Sequence, residues 1–225
     1  MTPRQLSFDL PVREALGRED FFVSPANAEA VAMVEAWQAW PGRKLVLTGP
    51  RGAGKTHLAH VWAAAGNARI ISADTLQEQR IEDLAAHPVA VEDADRIAGN
   101  RTAENSLFHL HNLVLAEGHS LLLTALRPPR HWPLTLPDLA SRLEGSTVTA
   151  LRPPDDALLA AILMKLFADR QVFPSPDTIP YLTRRMERSF AAAQKLVEEI
   201  DDYALETKRP VTRALAAGIL EKIEG

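Results

Sequence analysis

The stretch LVLTGPRGAGKTHLAH, residues 45–60, constrains this chain more than any other. Gly49, Gly54, Lys55 and Thr56 satisfy the pattern G-x-x-x-x-G-K-[ST], with Gly52 inside it, and an apolar run leads into the glycines. A strand that ends in such a loop and restarts as a helix is the setting in which backbone N–H groups close around phosphates, and the helix N-terminus adds a favourable dipole. The loop Gly49, Pro50, Arg51, Gly52, Ala53 and Gly54, followed by Lys55, Thr56 and His57, is therefore the nucleotide-binding candidate. Lys55 is expected to reach the β- and γ-phosphates, and Thr56 to hold Mg²⁺.

A phosphate loop also needs a carboxylate at the end of a neighbouring strand. PVAVEDAD, residues 88–95, offers Glu92, Asp93 and Asp95 after an apolar run. The first acid in this pattern is usually aspartate; here it is Glu92, one methylene longer, as the candidate metal ligand. Octahedral Mg²⁺ tolerates little misplacement, so this exchange is expected to weaken metal binding or hydrolysis. Asp93 is the candidate for orienting an attacking water. Asp95 reads as an acid capping the strand end.

Around the loop, short apolar strands at 44–48, 68–72, 88–93, 120–125 and 146–151 alternate with helical patterns from Gly54 and over 103–117. That alternation predicts a parallel sheet covered by helices on both faces. SPANAEAVAMVEAWQAW, residues 24–40, predicts a preceding helix with Ser24 as N-cap and Pro25 at its first position, and places Trp37 and Trp40 on the core. After Pro153 and Pro154 apolar residues recur at helical spacing over 155–169, 177–187, 189–206 and 212–223, with starts at Ser175–Pro176 and Ser189. The expected organisation is an arm over 1–19, an α/β nucleotide-binding domain over 20–152 and a small all-α lid domain over 153–225.

Charge and composition narrow the function classes. Lys plus Arg total 25 against 29 Asp plus Glu, a net charge of −4, so no whole-protein field attracts a phosphate backbone. Without cysteine there is no disulfide framework, thiolate nucleophile or Cys-ligated zinc. No stretch nears the roughly 18 apolar residues needed to cross a bilayer, and the N-terminus has no apolar signal core. A cytoplasmic protein without membrane contact is expected. His57/His60 and His109/His111 lack a carboxylate at metal-ligand spacing.

Beside these readings, EDFFVSPANAEAV (19–31), GPRGAGKTHL (49–58), VAVEDADR (89–96), LLLTALRPPR (121–130) and LPDLASRL (136–143) come in the order and spacing of the AAA+ module of the bacterial replication initiator DnaA. The resemblance runs from about residue 19 to the end, and is strongest to the Hda group of DnaA paralogues, which carry out regulatory inactivation of DnaA. It implies an AAA+ P-loop NTPase fold with a helical lid, binding ADP or ATP with Mg²⁺. It implies that Phe21, Phe22 and Val23 line the adenine pocket, although adjacent phenylalanines by themselves are more often core. Thr124 falls at the first sensor position, where Leu126 replaces an acid that follows it in relatives. The second sensor arginine aligns with Glu187; Arg188, one residue later, is the candidate, with Arg185 as the alternative.

Two further implications concern partners. The opening peptide QLSFDL, made of Gln5, Leu6, Ser7, Phe8, Asp9 and Leu10, resembles the motif by which replication proteins bind the β sliding clamp. Gln5 suits a pocket rim, and Leu6, Phe8 and Leu10 supply apolar anchors for an extended cleft, although the same alternation would serve an edge strand. Arg142, in the SRL segment, matches the family's arginine finger, which enters a neighbouring subunit's nucleotide site. The implied activity is that of an ADP-bound regulator with weak or no ATPase of its own, acting mainly as activator of ATP hydrolysis by the AAA+ domain of DnaA. An intrinsic AAA+ ATPase, such as a helicase loader or motor, and a non-catalytic clamp or DnaA adaptor stay open as alternatives, as does self-association. The chain stops at LEKIEG, with no stretch expected to form a helix-turn-helix, so DNA is expected to be reached only through the clamp.

Overall fold

The computed structural model describes residues 17, 18 and 21–224; the proposed clamp peptide, 5–10, lies outside them. Five strands, β1 (Lys44–Thr48), β2 (Arg69–Ser72), β3 (Val89–Glu92), β4 (Leu121–Ala125) and β5 (Thr147–Ala150), form one parallel sheet in the order β2-β3-β4-β1-β5. β1 is an inner strand: Leu45 pairs with Leu122 of β4 on one side and Thr147 of β5 on the other. Helices α1 (Ala28–Glu35), α2 (Lys55–Gly66), α3 (Ile81–Ala85), α4 (Arg101–Ala116) and α5 (Pro137–Glu144) surround it.

Side chains alternate across a strand, so each strand feeds both faces. Val46, Val91, Leu121 and Leu123 pack with Leu84 of α3, Leu107 and Leu110 of α4 and Leu139 of α5. Leu45, Leu47, Ala90 and Leu122 pack on the opposite face with Val31 and Val34 of α1 and Leu58 and Trp62 of α2. Trp40 is buried against Trp62, and Trp37 lies against the same cluster. A third cluster joins α6 (Asp156–Asp169), α7 (Thr178–Arg185), α8 (Phe190–Thr207) and α9 (Arg213–Glu224) through Leu159, Phe167, Leu182, Leu196, Ile200 and Leu220. Ser189 caps α8, accepting the Ala192 N–H at 3.0 Å. No helix among the described residues is long and apolar enough to cross a membrane.

The first helix departs from expectation. It begins at Ala28 rather than Pro25 and ends at Glu35, with a short 3₁₀ turn over Trp37–Ala39. Asn27 is the reason at the front: its Oδ1 accepts the Ser24 N–H at 2.8 Å and its Nδ2 donates to the Phe22 carbonyl at 2.8 Å, so the buried amide stabilises a turn in place of helix. The five-residue α3 was not expected from the sequence either; it is too short to display helical periodicity.

Glu104 of α4 is fully buried. Its carboxylate accepts N–H groups from Gly99 at 2.9 Å, Thr135 at 3.0 Å and Leu136 at 2.8 Å, and the Thr135 hydroxyl at 2.8 Å, tying α4 to the segment that starts α5. Burial pushes its pKa up, but the hydrogen bonds outweigh burial and hold it below the usual carboxylate value. Glu104→Ala is expected to destabilise the fold by about 3 kcal/mol at neutral pH, because the donors are left unpaired. The sign for the wild type follows from the depressed folded value: this contribution is complete above the unfolded pKa near 4.5 and is lost as pH falls through the folded one. Urea unfolding of both proteins as pH is lowered from 7 towards 3 checks this, the difference between the two shrinking at the lower pH.

Candidate nucleotide-binding site

The loop after β1 requires glycine for two separate reasons. Gly52 and Gly54 have φ of 70° and 95°, which side-chain-bearing residues avoid, and a Cβ on Gly52 would lie 2.5 Å from Ser189 Cβ. The second reason is tertiary: the start of α8 is docked on the loop, the Phe190 N–H donating to the Gly52 carbonyl at 2.7 Å. Lys55, the first residue of α2, is buried and donates from Nζ to the carbonyls of Gly49 and Pro50 at 2.9 and 3.0 Å. Burial lowers its pKa against the opposing attraction of Asp93, Asp95 and Glu92, with Arg51 adding to the lowering. Thr56 is exposed beside it.

The three acids stand at and just after the end of β3, at the same C-terminal end of the parallel sheet as the loop. Asp93 adopts left-handed backbone, φ 51°, and its N–H donates to Thr124 Oγ1 at 3.0 Å. Asp95 Oδ2 accepts the Leu126 N–H at 3.1 Å. The structure thus brings Asp93 and Thr124 together, and it gives Asp95 a cross-strand contact that a strand-end cap does not need. Glu92 Oε1 and Asp95 Oδ1 are buried oxygens without a hydrogen-bond partner. Among the described residues no group of three or more His, Asp or Glu side chains forms a ready metal cage. That donor set fits Mg²⁺, which is held by one or two protein oxygens, waters and the substrate's phosphates.

Phe21 is buried, with its ring edge-on to His57 at 5.0 Å and stacked on Phe190 at 6.4 Å between centroids. His57 Nε2 also hydrogen-bonds the Gly17 carbonyl at 3.0 Å. Phe22 packs on the α6–α9 cluster, and Val23 is half exposed. Phe190 shares this corner with Phe21 and Gly54. No sequence motif marks Phe190 as part of this corner. Arg188 pairs with Asp156 and donates to the Pro154 carbonyl at 3.4 Å, whereas Arg185 lies over the Tyr181 ring at 6.0 Å.

Arg142 stands apart from all of these. It is exposed near the end of α5, its guanidinium 5.2 Å from the Phe108 ring centroid, and its carbonyl accepts from Lys44 Nζ at 2.6 Å. Lys44 begins β1 and the phosphate loop follows its end, so the length of the strand, at about 3.3 Å per residue, separates the two. Burial, then the nearby Arg142, lowers the Lys44 pKa. His111, 3.4 Å from Lys44, is also held below its ordinary value, first by burial.

A five-stranded parallel sheet carrying this loop, with a helical C-terminal region, defines the AAA+ P-loop NTPase fold. No protein-family model matches the chain. It is 28% identical over 230 residues to the chromosomal replication initiator protein DnaA of Thermomicrobium roseum, an alignment covering 91% of this chain and 49% of that one. The chain therefore spans about half the length of that curated relative. Domain III of the Thermotoga maritima replication initiation protein DnaA superposes with a TM-score of 0.79 at 19% identity, over 95% of this chain and 98% of that structure. AMPPCP-bound DnaA from Aquifex aeolicus gives 0.68 at 19% identity, over 84% and 65%. The chain carries an AAA+ domain similar to that of DnaA.

Proposed function

We propose that this protein binds ADP or ATP with Mg²⁺ at the Gly49–Thr56 loop and acts as a regulator of replication initiation of the Hda type. In this reading Phe21, Phe22 and Val23 border the base, Lys55 and the loop N–H groups hold the phosphates, and Thr56 with Glu92 faces the metal, which would neutralise phosphate charge. Residues 5–10 tether the protein to the β sliding clamp. The clamp brings it to cytoplasmic DNA that carries ATP-bound DnaA. Arg142 then enters the neighbouring DnaA nucleotide site and promotes hydrolysis there, leaving the inactive ADP form.

The observation that carries this reading is the position of Arg142, exposed at the sheet end remote from its own Lys55. A finger there cannot serve its own phosphates and is available to a partner's. AMPPCP in the similar Aquifex DnaA supports nucleotide at the loop. A second reading, turnover of the chain's own ATP, is favoured by the Asp93–Thr124 hydrogen bond and the unpartnered Glu92 oxygen.

Single-turnover hydrolysis of labelled ATP pre-bound to the cognate DnaA, in the presence of DNA-loaded clamp, distinguishes them. The regulator accelerates loss of DnaA-bound ATP, and Leu6→Ala/Phe8→Ala removes the dependence on clamp. No acceleration at any concentration, together with steady turnover by the chain alone, rejects the regulator and favours the ATPase.

A further inference from the structure

Tyr181 of α7 carries two guanidinium groups over its ring, Arg213 from the start of α9 at 4.9 Å and Arg185, one turn along α7, at 6.0 Å. Arg184 is exposed beside them. None of these arginines has a carboxylate partner within ion-pair distance among the described residues, whereas Arg170 and Arg188 of the same helical region are each paired with an aspartate. The one carboxylate lining the adjoining groove, Asp177, accepts the Ser175 hydroxyl at 2.8 Å, and the hydroxyl-bearing Thr212 lines the same groove.

A guanidinium drawn to the face of a ring keeps its charge, and its N–H groups form the fork that matches phosphate oxygens. The ring therefore attracts two cations without neutralising them, which lowers the ordering cost of meeting an anion. The chain's net charge of −4 does not oppose this, because charges more than about 10 Å away are screened at 0.1 M salt. Several ordered cations without carboxylate partners suit a ligand with repeated phosphates better than a single anion.

We propose that this arginine and tyrosine surface of the helical region contacts the phosphodiester backbone of DNA directly and without sequence preference. The contact is independent of the nucleotide site and of Arg142, and adds to any clamp tether.

Fluorescence anisotropy of a labelled duplex of arbitrary sequence, titrated with the full chain between about 50 and 200 mM salt, reads it. Three phosphate contacts give a slope of log affinity against log salt of about −2.7, at roughly 0.9 per phosphate. Arg184→Ala/Arg185→Ala/Arg213→Ala is expected to weaken binding at least tenfold at low salt and flatten the slope to near zero. Tyr181→Leu, which changes no charge, weakens binding about threefold, and Arg142→Ala leaves it unchanged. Melting curves for each variant establish that it is folded. Equal binding by wild type and the folded triple variant, or an unchanged slope, overturns the proposal. So does displacement of the duplex by polyglutamate as readily as by unlabelled duplex, which would assign the surface to an acidic protein.

Discussion

Replacing Lys55 by alanine is expected to weaken both ADP and ATP binding by about a hundredfold, roughly 2.7 kcal/mol, within the range of a hydrogen bond to a charged group. The side chain is buried at the first turn of α2 and its Nζ donates to the Gly49 and Pro50 carbonyls, so its ammonium is already held against the loop. Its pKa is lowered chiefly by burial, despite attraction from Asp93, Asp95 and Glu92. A phosphate arriving at the loop would offset that desolvation, and the resulting attraction is lost with the amine. Lys55→Arg keeps the charge but not the point-like ammonium, and the enclosed loop leaves little room for a planar fork, so it rescues poorly. Titration calorimetry gives the affinities, and an unchanged melting temperature without nucleotide separates the effect from misfolding. If Lys55→Ala binds ADP as the wild type does, the loop is not the nucleotide site and both functional readings of it fail together.

The sheet was legible because strands buried on both faces read as unbroken apolar runs: KLVLT, PVAVE and SLLLTA needed no alternation to be recognised. The phosphate loop was legible for another reason, since glycine spacing records backbone conformation directly, as the left-handed φ of Gly52 and Gly54 now shows. What escaped was tertiary. The crowding of Gly52 by Ser189, and the meeting of Phe190 with Phe21, depend on α8 docking across the loop, which no local pattern encodes. Glu104 escaped because an acid within an amphipathic helix ordinarily faces solvent, and only the returning Thr135–Leu136 segment gives it a buried set of donors. Asn27 misled the helix start in the same way: its amide bonds both back to Ser24 and outward to Phe22.

Some of these tertiary contacts bear on the site. The Phe190 N–H bonded to the Gly52 carbonyl means that the helical region and the phosphate loop share a hydrogen bond, and the stacked Phe21 and Phe190 rings join the segment before α1 to the same contact. Any movement of α8 therefore changes the loop's surroundings. Arg188, just before α8, is tied to the start of α6 through Asp156 and to the Pro154 carbonyl, so its guanidinium is engaged within the helical region. A role for Arg188 in sensing nucleotide requires that pair to open. Arg188→Ala and Asp156→Ala would then affect nucleotide affinity in opposite directions, the first removing a phosphate contact and the second freeing it.

Arg142→Ala is expected to abolish stimulation of ATP hydrolysis on the partner, lowering the stimulated rate by about 10³-fold or more, the scale of an arginine finger in phosphoryl transfer. The argument is geometric before it is chemical. Lys44 grips the Arg142 carbonyl, a backbone group that alanine retains, so the substitution removes the guanidinium from the Phe108 ring without dismantling the end of α5. The sheet separates this residue from its own phosphate loop, and the variant is therefore expected to bind ADP and clamp with unaltered affinity. Lys44 and His111 beside it both have lowered pKa values, burial first and Arg142 contributing. On the proposed reading, the anion that Arg142 meets is a γ-phosphate in the partner's nucleotide site. Arg142→Lys keeps the charge without the planar fork and is expected to restore little of the rate, whereas general electrostatic steering would be rescued by it. Full stimulation by Arg142→Ala, with clamp and nucleotide binding intact, would leave a binding adaptor as the surviving reading and remove the finger from this chain's chemistry.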